Sequence, residues 1–252
     1  MILQALVDYY QRCAVDPDSG IAPFGFSQEK ISFVLVVDEH GVLVQVEDIR
    51  NSKGSKKTPV QRLLPQAVKR SSGIAANLLW DKAEYVLGVD AKGKADRAAK
   101  QHQAFVARIM DELLPQCHDV GLQAVARWLA QPSAVLLDQV VHHLDVQELK
   151  APGTNLSFKL AGDPIPLVCQ RPNVVRAIHR LTNRHEAARG CLVTGEADTV
   201  ARLHPAIKGV WGAQSSGANI VSFNLPAFTS YHKEQGTYPG AVQPVTPLEQ
   251  RL

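Results

Sequence analysis

Two β-branched runs close to the amino terminus leave this part of the chain few alternatives to a pair of strands. They are Ile31–Val37 and Val42–Val46, and the polar tetrapeptide Asp38-Glu39-His40-Gly41 joins them. Apolar runs separated by a short polar stretch that ends in glycine are typical of a β-hairpin. The sequence therefore predicts an antiparallel strand pair with Gly41 at a positive φ.

Apolar residues at helical spacing predict several helices in the rest of the chain. One is expected at residues 2–14, and a long amphipathic helix at Lys94–Leu114 ends at Pro115. The remaining expected helices are Val120–Ala130, Ala134–Leu144 and Asn173–Arg184, and the remaining expected strands are Val60–Val68, Leu156–Leu160, Ile165–Cys169 and Ile220–Phe223.

The order of these elements predicts an α+β fold. Mixed antiparallel sheet regions would be interrupted by a helical insertion over about residues 94–145. Residues 1–235 are expected to form one domain. The segment 236–252 contains several prolines and glycines and no periodic apolar face, so we expect it to be extended or disordered.

The composition excludes several classes of protein. The 252 residues are 45% hydrophobic, which is enough to build a substantial core. The four cysteines form no C-x-x-C pair, so we expect buried, reduced thiols and no zinc ribbon. No apolar run reaches the ~18 residues of a membrane span, and the amino terminus lacks the parts of a signal peptide. We expect a cytoplasmic protein that contacts no membrane and needs no cofactor.

A basic strip follows the predicted hairpin. No acidic residue lies between Asp48 and Asp81, and the net charge of the whole chain is only +3, so positive charge is concentrated locally. A charge run is often only a solvated loop, but one this long and this free of acids favours contact with nucleic acid. The cations after Arg50 are Lys53, Lys56, Lys57, Arg62, Lys69 and Arg70, followed by Ser71 and Ser72.

The first part of the strip, Asn51–Thr58, contains no apolar residue and predicts a mobile loop. Beyond the strip, Trp80 is expected in the core with a turn around it. Asn77 has two interpretations: it belongs to that turn, or its amide reads a base edge by donating and accepting together.

A second polar segment, Gly212–Gly217, is framed by glycines. Its backbone N–H groups and the side chains of Gln214, Ser215 and Ser216 suit a phosphate or a base edge. Ordinary loop packing explains the same residues equally well, so both interpretations stay open.

The histidines offer an alternative based on metal chemistry. His118 and Asp119 form an HD pair, but a metal phosphohydrolase needs further ligands of this kind, and the sequence has no second HD pair. Adjacent His142 and His143 would diverge by about 100° on a helix and cannot share an ion. We expect surface or hydrogen-bonded histidines and keep a metal-dependent nuclease as the second hypothesis.

Several strings, in the same order along the chain, resemble the large subunit of the type I-C CRISPR surveillance complex, Cascade. Members of that family are longer than this chain, so the likeness, which runs to about Gln235, corresponds to an amino-terminal portion. The strings are Met1–Leu6, Asp16–Pro23 with Gly25–Ser27, Val68–Asn77 with Leu79–Asp81, and Gly212–Gly217 with Val221–Asn224 and Ala227–Phe228.

The resemblance implies a non-enzymatic subunit that reads the protospacer-adjacent motif on double-stranded target DNA and helps to open the duplex. It also implies association with the guide RNA, with other Cascade subunits and with a separate helicase-nuclease. The lysines and arginines of the strip would then hold the DNA backbone, while Asn77, Gln214, Ser215 and Ser216 would probe base edges or hold the opened strand. A third hypothesis remains: a protein- and RNA-interaction module without direct DNA reading.

Overall fold

The computed structural model describes residues 2–14, 16, 19–53, 56–68, 70, 73–90, 93–182, 189–190, 197–198, 207, 210–214 and 217–218. For residues 2, 3, 14, 53, 56, 189, 190, 197 and 198 it describes the backbone alone. The chain divides into two compact units, Met1–Ile21 with Thr182–Leu252, and Ala22–Leu181. The predicted strand Ile220–Phe223 and the segment 236–252 lie outside the described residues, and the single domain predicted for 1–235 remains a prediction.

Helix α1 spans Ile2–Ala14, as the apolar spacing predicted. The strands of the unit Ala22–Leu181 are β1 (Phe26–Ile31), β2 (Phe33–Val37), β3 (Leu43–Asp48), β4 (Asn51–Lys53), β5 (Lys56–Thr58), β6 (Val60–Pro65), β7 (Trp80–Lys82) and β8 (Asn155–Leu160).

A four-stranded sheet in the order β3-β2-β8-β7 forms the centre of this unit. β2 pairs antiparallel with β3 and parallel with β8, and β8 pairs antiparallel with β7. Every residue of β2 is buried, which is why its sequence is a continuous apolar run with no alternation. β1 and β6 form a separate antiparallel pair.

The predicted hairpin is confirmed as β2 and β3. Gly41 has a φ of 83°, and a Cβ added there would lie 2.5 Å from the Cβ of Arg127. The glycine therefore permits both the turn and its close packing against a helix.

The helices between β7 and β8 form the predicted insertion. They are α2 (Ala83–Val86), α3 (Ala95–Ala107), α4 (Val120–Leu129), α5 (Ser133–Val141) and α6 (Val146–Lys150), and α7 (Pro172–Thr182) follows β8. α3 continues into a π-helical turn, Arg108–Leu113, and then into a 3-10 turn that contains Pro115. Helices and a mixed sheet in separate segments confirm the α+β class.

The helical insertion covers the sheet with aromatic side chains. Phe158 of β8 packs between Phe105 of α3 and Trp128 of α4, with ring centroids 6.3 and 5.8 Å apart respectively. All three side chains are completely buried. Large aromatic contacts of this kind supply much of a core's hydrophobic stabilisation.

Two local predictions are wrong. Asn51–Thr58, predicted as a loop, forms the β4–β5 hairpin, in which Lys53 lies opposite Lys56 and so only two residues connect the strands. Ile165–Cys169, predicted as a strand, is irregular and ends in a 3-10 turn at Val168–Gln170. Proline at 166 removes a backbone donor from the middle of that segment; Leu167, Val168 and Cys169 are buried, whereas Ile165 is half-buried.

The short strands β9 (Arg189–Gly190) and β10 (Ala197–Asp198) pair antiparallel and belong, with α1, to the other unit.

Candidate nucleic-acid interface

The β4–β5 hairpin carries the densest part of the basic strip. Lys53 and Lys56 are directly opposite each other, and Lys57 lies opposite Ser52. The hairpin has no apolar residue, and like charges opposite each other in a strand pair are destabilising. A hairpin of this composition gains stability from an anion that lies against it.

Arg50 anchors the base of this hairpin. Its Nη2 lies 2.6 Å from Asp48 Oδ2 and 2.5 Å from Glu148 Oε2, and its guanidinium lies 4.4 Å above the ring of Phe33. Only 11% of the side chain is exposed. Arg50 is therefore a structural residue, and its hydrogen bond is the main reason that the pKa of Asp48 falls well below its usual range.

Lys57 also contacts Asp48, with Nζ 2.9 Å from Oδ2, but half of its side chain remains exposed. Surface ion pairs of this type are weak and exchange readily for another anion. Arg62 is half-buried on β6 opposite Glu29, and its Nη1 donates to the carbonyl oxygen of Gln61 at 3.1 Å. Both side chains retain access to solvent.

The segment after β6 is tied down by Arg70. Its guanidinium pairs through both terminal nitrogens with the carboxylate of Asp81, and its Nε donates to the carbonyl oxygen of Ala75 at 2.5 Å. The same guanidinium lies 4.2 Å above the ring of Tyr85. Because Asp81 is 1% exposed, this ion pair holds the segment against the core.

Asn77 is buried in the same network. Its Oδ1 accepts from the backbone N–H of Val68 at 3.0 Å, and its own backbone N–H donates to Asp81 Oδ2 at 2.8 Å. Trp80 is buried as predicted, and its Nε1 donates to the carbonyl oxygen of Pro65. The contacts favour the turn interpretation of Asn77 over base reading, because its side-chain acceptor is already used internally.

Backbone strain lies beside this network. Leu79 is completely buried and has a φ of 61°, and its carbonyl oxygen accepts from Ser157 Oγ at 3.2 Å. A bulky side chain in the left-handed region costs about 1–3 kcal/mol and persists only where surrounding contacts impose it. The contacts around Leu79 therefore fix the backbone at this position, just before β7.

Arg108 is a further cation near the segment between β6 and β7, and it is not part of the basic strip. It is the first residue of the π-helical turn, and its Nη1 donates to the carbonyl oxygen of Ala76. It lies outside the basic strip in sequence, so no local pattern marked it. Only the packing of α3 against the segment brings it to Arg70.

The other predicted site residues fall into two groups. Gln214 is exposed in the turn 210–214, where its carbonyl oxygen accepts from the N–H of Gly217 at 2.9 Å, and this turn belongs to the unit that contains α1. Lys69, Ser71, Ser72, Ser215 and Ser216 lie outside the described residues, as do the side chains of Lys53 and Lys56.

The HD pair has a structural explanation. Asp119 caps α4, accepting from the N–H groups of Gly121 and Leu122, and it also accepts from Arg171 Nε at 2.7 Å. Its neighbour His118 is exposed. In the part of the chain that the structure describes, no group of three or more His, Cys, Asp or Glu side chains is arranged to hold a metal ion.

The cysteines agree in part with expectation. Cys117 and Cys169 are buried free thiols, whereas Cys13 is half-buried and Cys191 lies outside the described residues. Burial raises the pKa of the Cys169 thiol well above its usual range. None of the described helices is both long enough and apolar enough to cross a membrane.

Comparison with models of protein families places residues 6–242 among CRISPR-associated proteins. The chain belongs to the family described as CRISPR-associated protein (Cas_Csd1), the large subunit of the type I-C Cascade complex. The resemblance seen in the sequence is thereby confirmed, and the match extends beyond the boundary predicted at residue 235. A search of curated proteins found no match.

Proposed function

We propose that this chain is a non-catalytic subunit of a type I-C RNA-guided surveillance complex that recognises the protospacer-adjacent motif on duplex DNA. The observation that carries the proposal is the β4–β5 hairpin, which sets Lys53 opposite Lys56 on strands with no apolar residue. Guide pairing supplies most of the sequence specificity in such complexes, so the protein needs phosphate contacts and a few base contacts.

The dimensions of the hairpin suit this task. Each strand has three residues and so is about 10 Å long, and a two-stranded ribbon fits the major groove, which is about 12 Å wide. Arg50 fixes the base of the ribbon to the sheet, and the lysines lie beyond that anchor. Charge in the ribbon then contributes affinity and position, with little dependence on base sequence.

Base reading and strand opening are assigned to small polar side chains. Because Asn77 is buried, Gln214, in its exposed turn, is the stronger candidate. In this proposal Ser215 and Ser216 assist Gln214 in reading bases. Lys69, Ser71 and Ser72, which lie between β6 and β7 in the sequence, contact the DNA backbone. The guide RNA, other Cascade subunits and the recruited helicase-nuclease are the proposed partners.

A salt titration of duplex binding by the assembled complex tests the proposal. If Lys53 and Lys56 each neutralise a phosphate, the double variant Lys53→Gln/Lys56→Gln should reduce the slope of log K against log salt by about 2. The matched control is Lys94→Gln/Lys100→Gln, which removes the same charge from two exposed positions, the N-cap and the middle of α3.

An unchanged slope in the hairpin variant, or equal losses in both variants, would contradict the role of the hairpin. The third hypothesis, an interaction module that contacts RNA alone, predicts a different pattern. In that case the hairpin variant would weaken guide RNA retention and leave the affinity of the loaded complex for duplex DNA unchanged.

A further inference from the structure

Arg108 has an incomplete set of partners for a guanidinium that is mostly buried. Its side chain is 28% exposed, and its Nη1 donates to the carbonyl oxygen of Ala76. Its Nε is 3.7 Å from Glu112 Oε2, which is too long for a hydrogen bond. Among the described residues, nothing accepts a hydrogen bond from Nε or Nη2. A guanidinium offers five N–H donors, so most of those of Arg108 are available.

A second guanidinium lies beside it. Arg70 Nε donates to the carbonyl oxygen of Ala75 while Arg108 Nη1 donates to that of Ala76, so two successive carbonyl groups position two cations. Asp81 is paired with Arg70 through both of its oxygens. Burial is the main reason that the pKa of Arg108 is lowered; the charge of Arg70 lowers it further, whereas the carboxylates of Glu112 and Asp81 act in the opposite direction. Of the two guanidinia, that of Arg70 pairs closely with Asp81, whereas Arg108 has only the longer ion pair with the exposed Glu112.

The backbone at Arg108 is also unusual. α3 ends at Ala107, and Arg108 begins a π-helical turn that runs to Leu113. π-helical turns are rare and occur frequently at functional sites, because the extra residue in the turn re-aims the side chains around it. Here Ile109 and Leu113 remain completely buried while Arg108 reaches the segment between β6 and β7.

We propose that Arg108 binds a backbone phosphate of nucleic acid at the edge of the segment between β6 and β7. A planar guanidinium with unpaired N–H donors can bind two oxygens of one phosphate. In the absence of nucleic acid, the exposed carboxylate of Glu112 interacts weakly with Arg108, and the phosphate would displace it. Arg70, engaged with Asp81, fixes the local geometry and is a positioning residue. The inference rests on the proposed function and adds a site in the π-helical turn after α3, in addition to the hairpin.

Binding of one labelled sequence as duplex DNA, single-stranded DNA and single-stranded RNA tests the site in the full chain. Arg108→Gln should weaken binding about tenfold and reduce the salt slope by about 1 for the form that supplies the phosphate. Arg108→Lys should have the salt slope of the unmodified chain but only part of its affinity, since lysine keeps the positive charge and lacks the paired N–H donors of a guanidinium. Glu112→Gln should tighten binding.

The control is Arg97→Gln, which removes an exposed arginine from the same helix about 16 Å away. Equal effects of Arg97→Gln and Arg108→Gln would show a response to net charge and overturn the site. If Arg108→Gln does not fold, an unchanged affinity in Glu112→Gln overturns it equally. If binding by the unmodified chain does not depend on salt, the proposed function itself is contradicted. If binding depends on salt but Arg108→Gln leaves the slope of log K against log salt unaltered, only this inference is contradicted.

Discussion

At the scale of single residues, a polar side chain that is buried and hydrogen-bonded within the protein is not available to contact nucleic acid. Asn77 satisfies the backbone N–H of Val68 at 3.0 Å and is 4% exposed. Asn77→Ala should therefore lower the free energy of unfolding by about 1–3 kcal/mol, because the N–H of Val68 loses its acceptor. Urea unfolding measures the loss, and Gln28→Ala, at an exposed position on β1, is the control.

If Asn77 is a turn residue, its replacement should not change which adjacent motifs the complex accepts. A folded Asn77→Ala variant with unaltered stability that confuses adjacent motifs would restore its base-reading role.

His102 gives the fold a dependence on pH. Its Nδ1 lies 3.0 Å from the carbonyl oxygen of Tyr85, and burial lowers its pKa below the ordinary value of 6.5. A histidine kept neutral in the folded state costs stability once it must be protonated. Stability should therefore fall as the pH drops below about 6.5. His102→Gln cannot titrate, so its unfolding free energy should change less between pH 7 and pH 5; an equal change in both proteins would place the acid sensitivity elsewhere.

At the scale of elements, the β2–β3 turn and α4 depend on one glycine. Gly41→Ala adds a Cβ that would lie 2.5 Å from the Cβ of Arg127 and 2.9 Å from the N of Trp128, at a φ of 83°. We expect a loss of about 2–5 kcal/mol in the free energy of unfolding, from strain and overpacking together.

Gly93→Ala is the matched comparison. Gly93 has a φ of 69°, but a Cβ there would meet no atom within 4 Å, so only backbone strain remains. The expected loss is about 1 kcal/mol. Equal losses at both glycines, measured by urea unfolding, would show that packing against α4 contributes nothing at Gly41.

The elements also show where sequence reasoning succeeds. The β2–β3 hairpin and helices α3, α4 and α7 were predictable because apolar spacing reports directly on a buried face. The β4–β5 hairpin was not, since Asn51–Thr58 has no apolar residue and its strands are set by backbone pairing. The parallel pairing of β2 with β8 joins residues that are far apart in sequence, and no local pattern contains that information.

At the scale of the whole molecule, the cations of the basic strip differ in role: some form internal ion pairs and others remain exposed to solvent. The sequence located the basic strip, but Arg50 and Arg70 serve internal ion pairs while Lys57 stays half exposed. A charge run cannot show this division, because Glu148 lies 98 residues from Arg50 and because Asp81, which closes the strip, meets Arg70 only in the folded chain. Family membership supplies the setting of a Cascade large subunit.

The proposed function requires that the β4–β5 hairpin touches target DNA in the assembled complex. A photoreactive amino acid in place of Lys56 tests it most directly, with the same replacement of the exposed Lys100 as the control. We expect a cross-link from position 56 to duplex DNA next to the protospacer-adjacent motif, and none from position 100. Cross-links from position 56 to guide RNA or to protein subunits alone would contradict it.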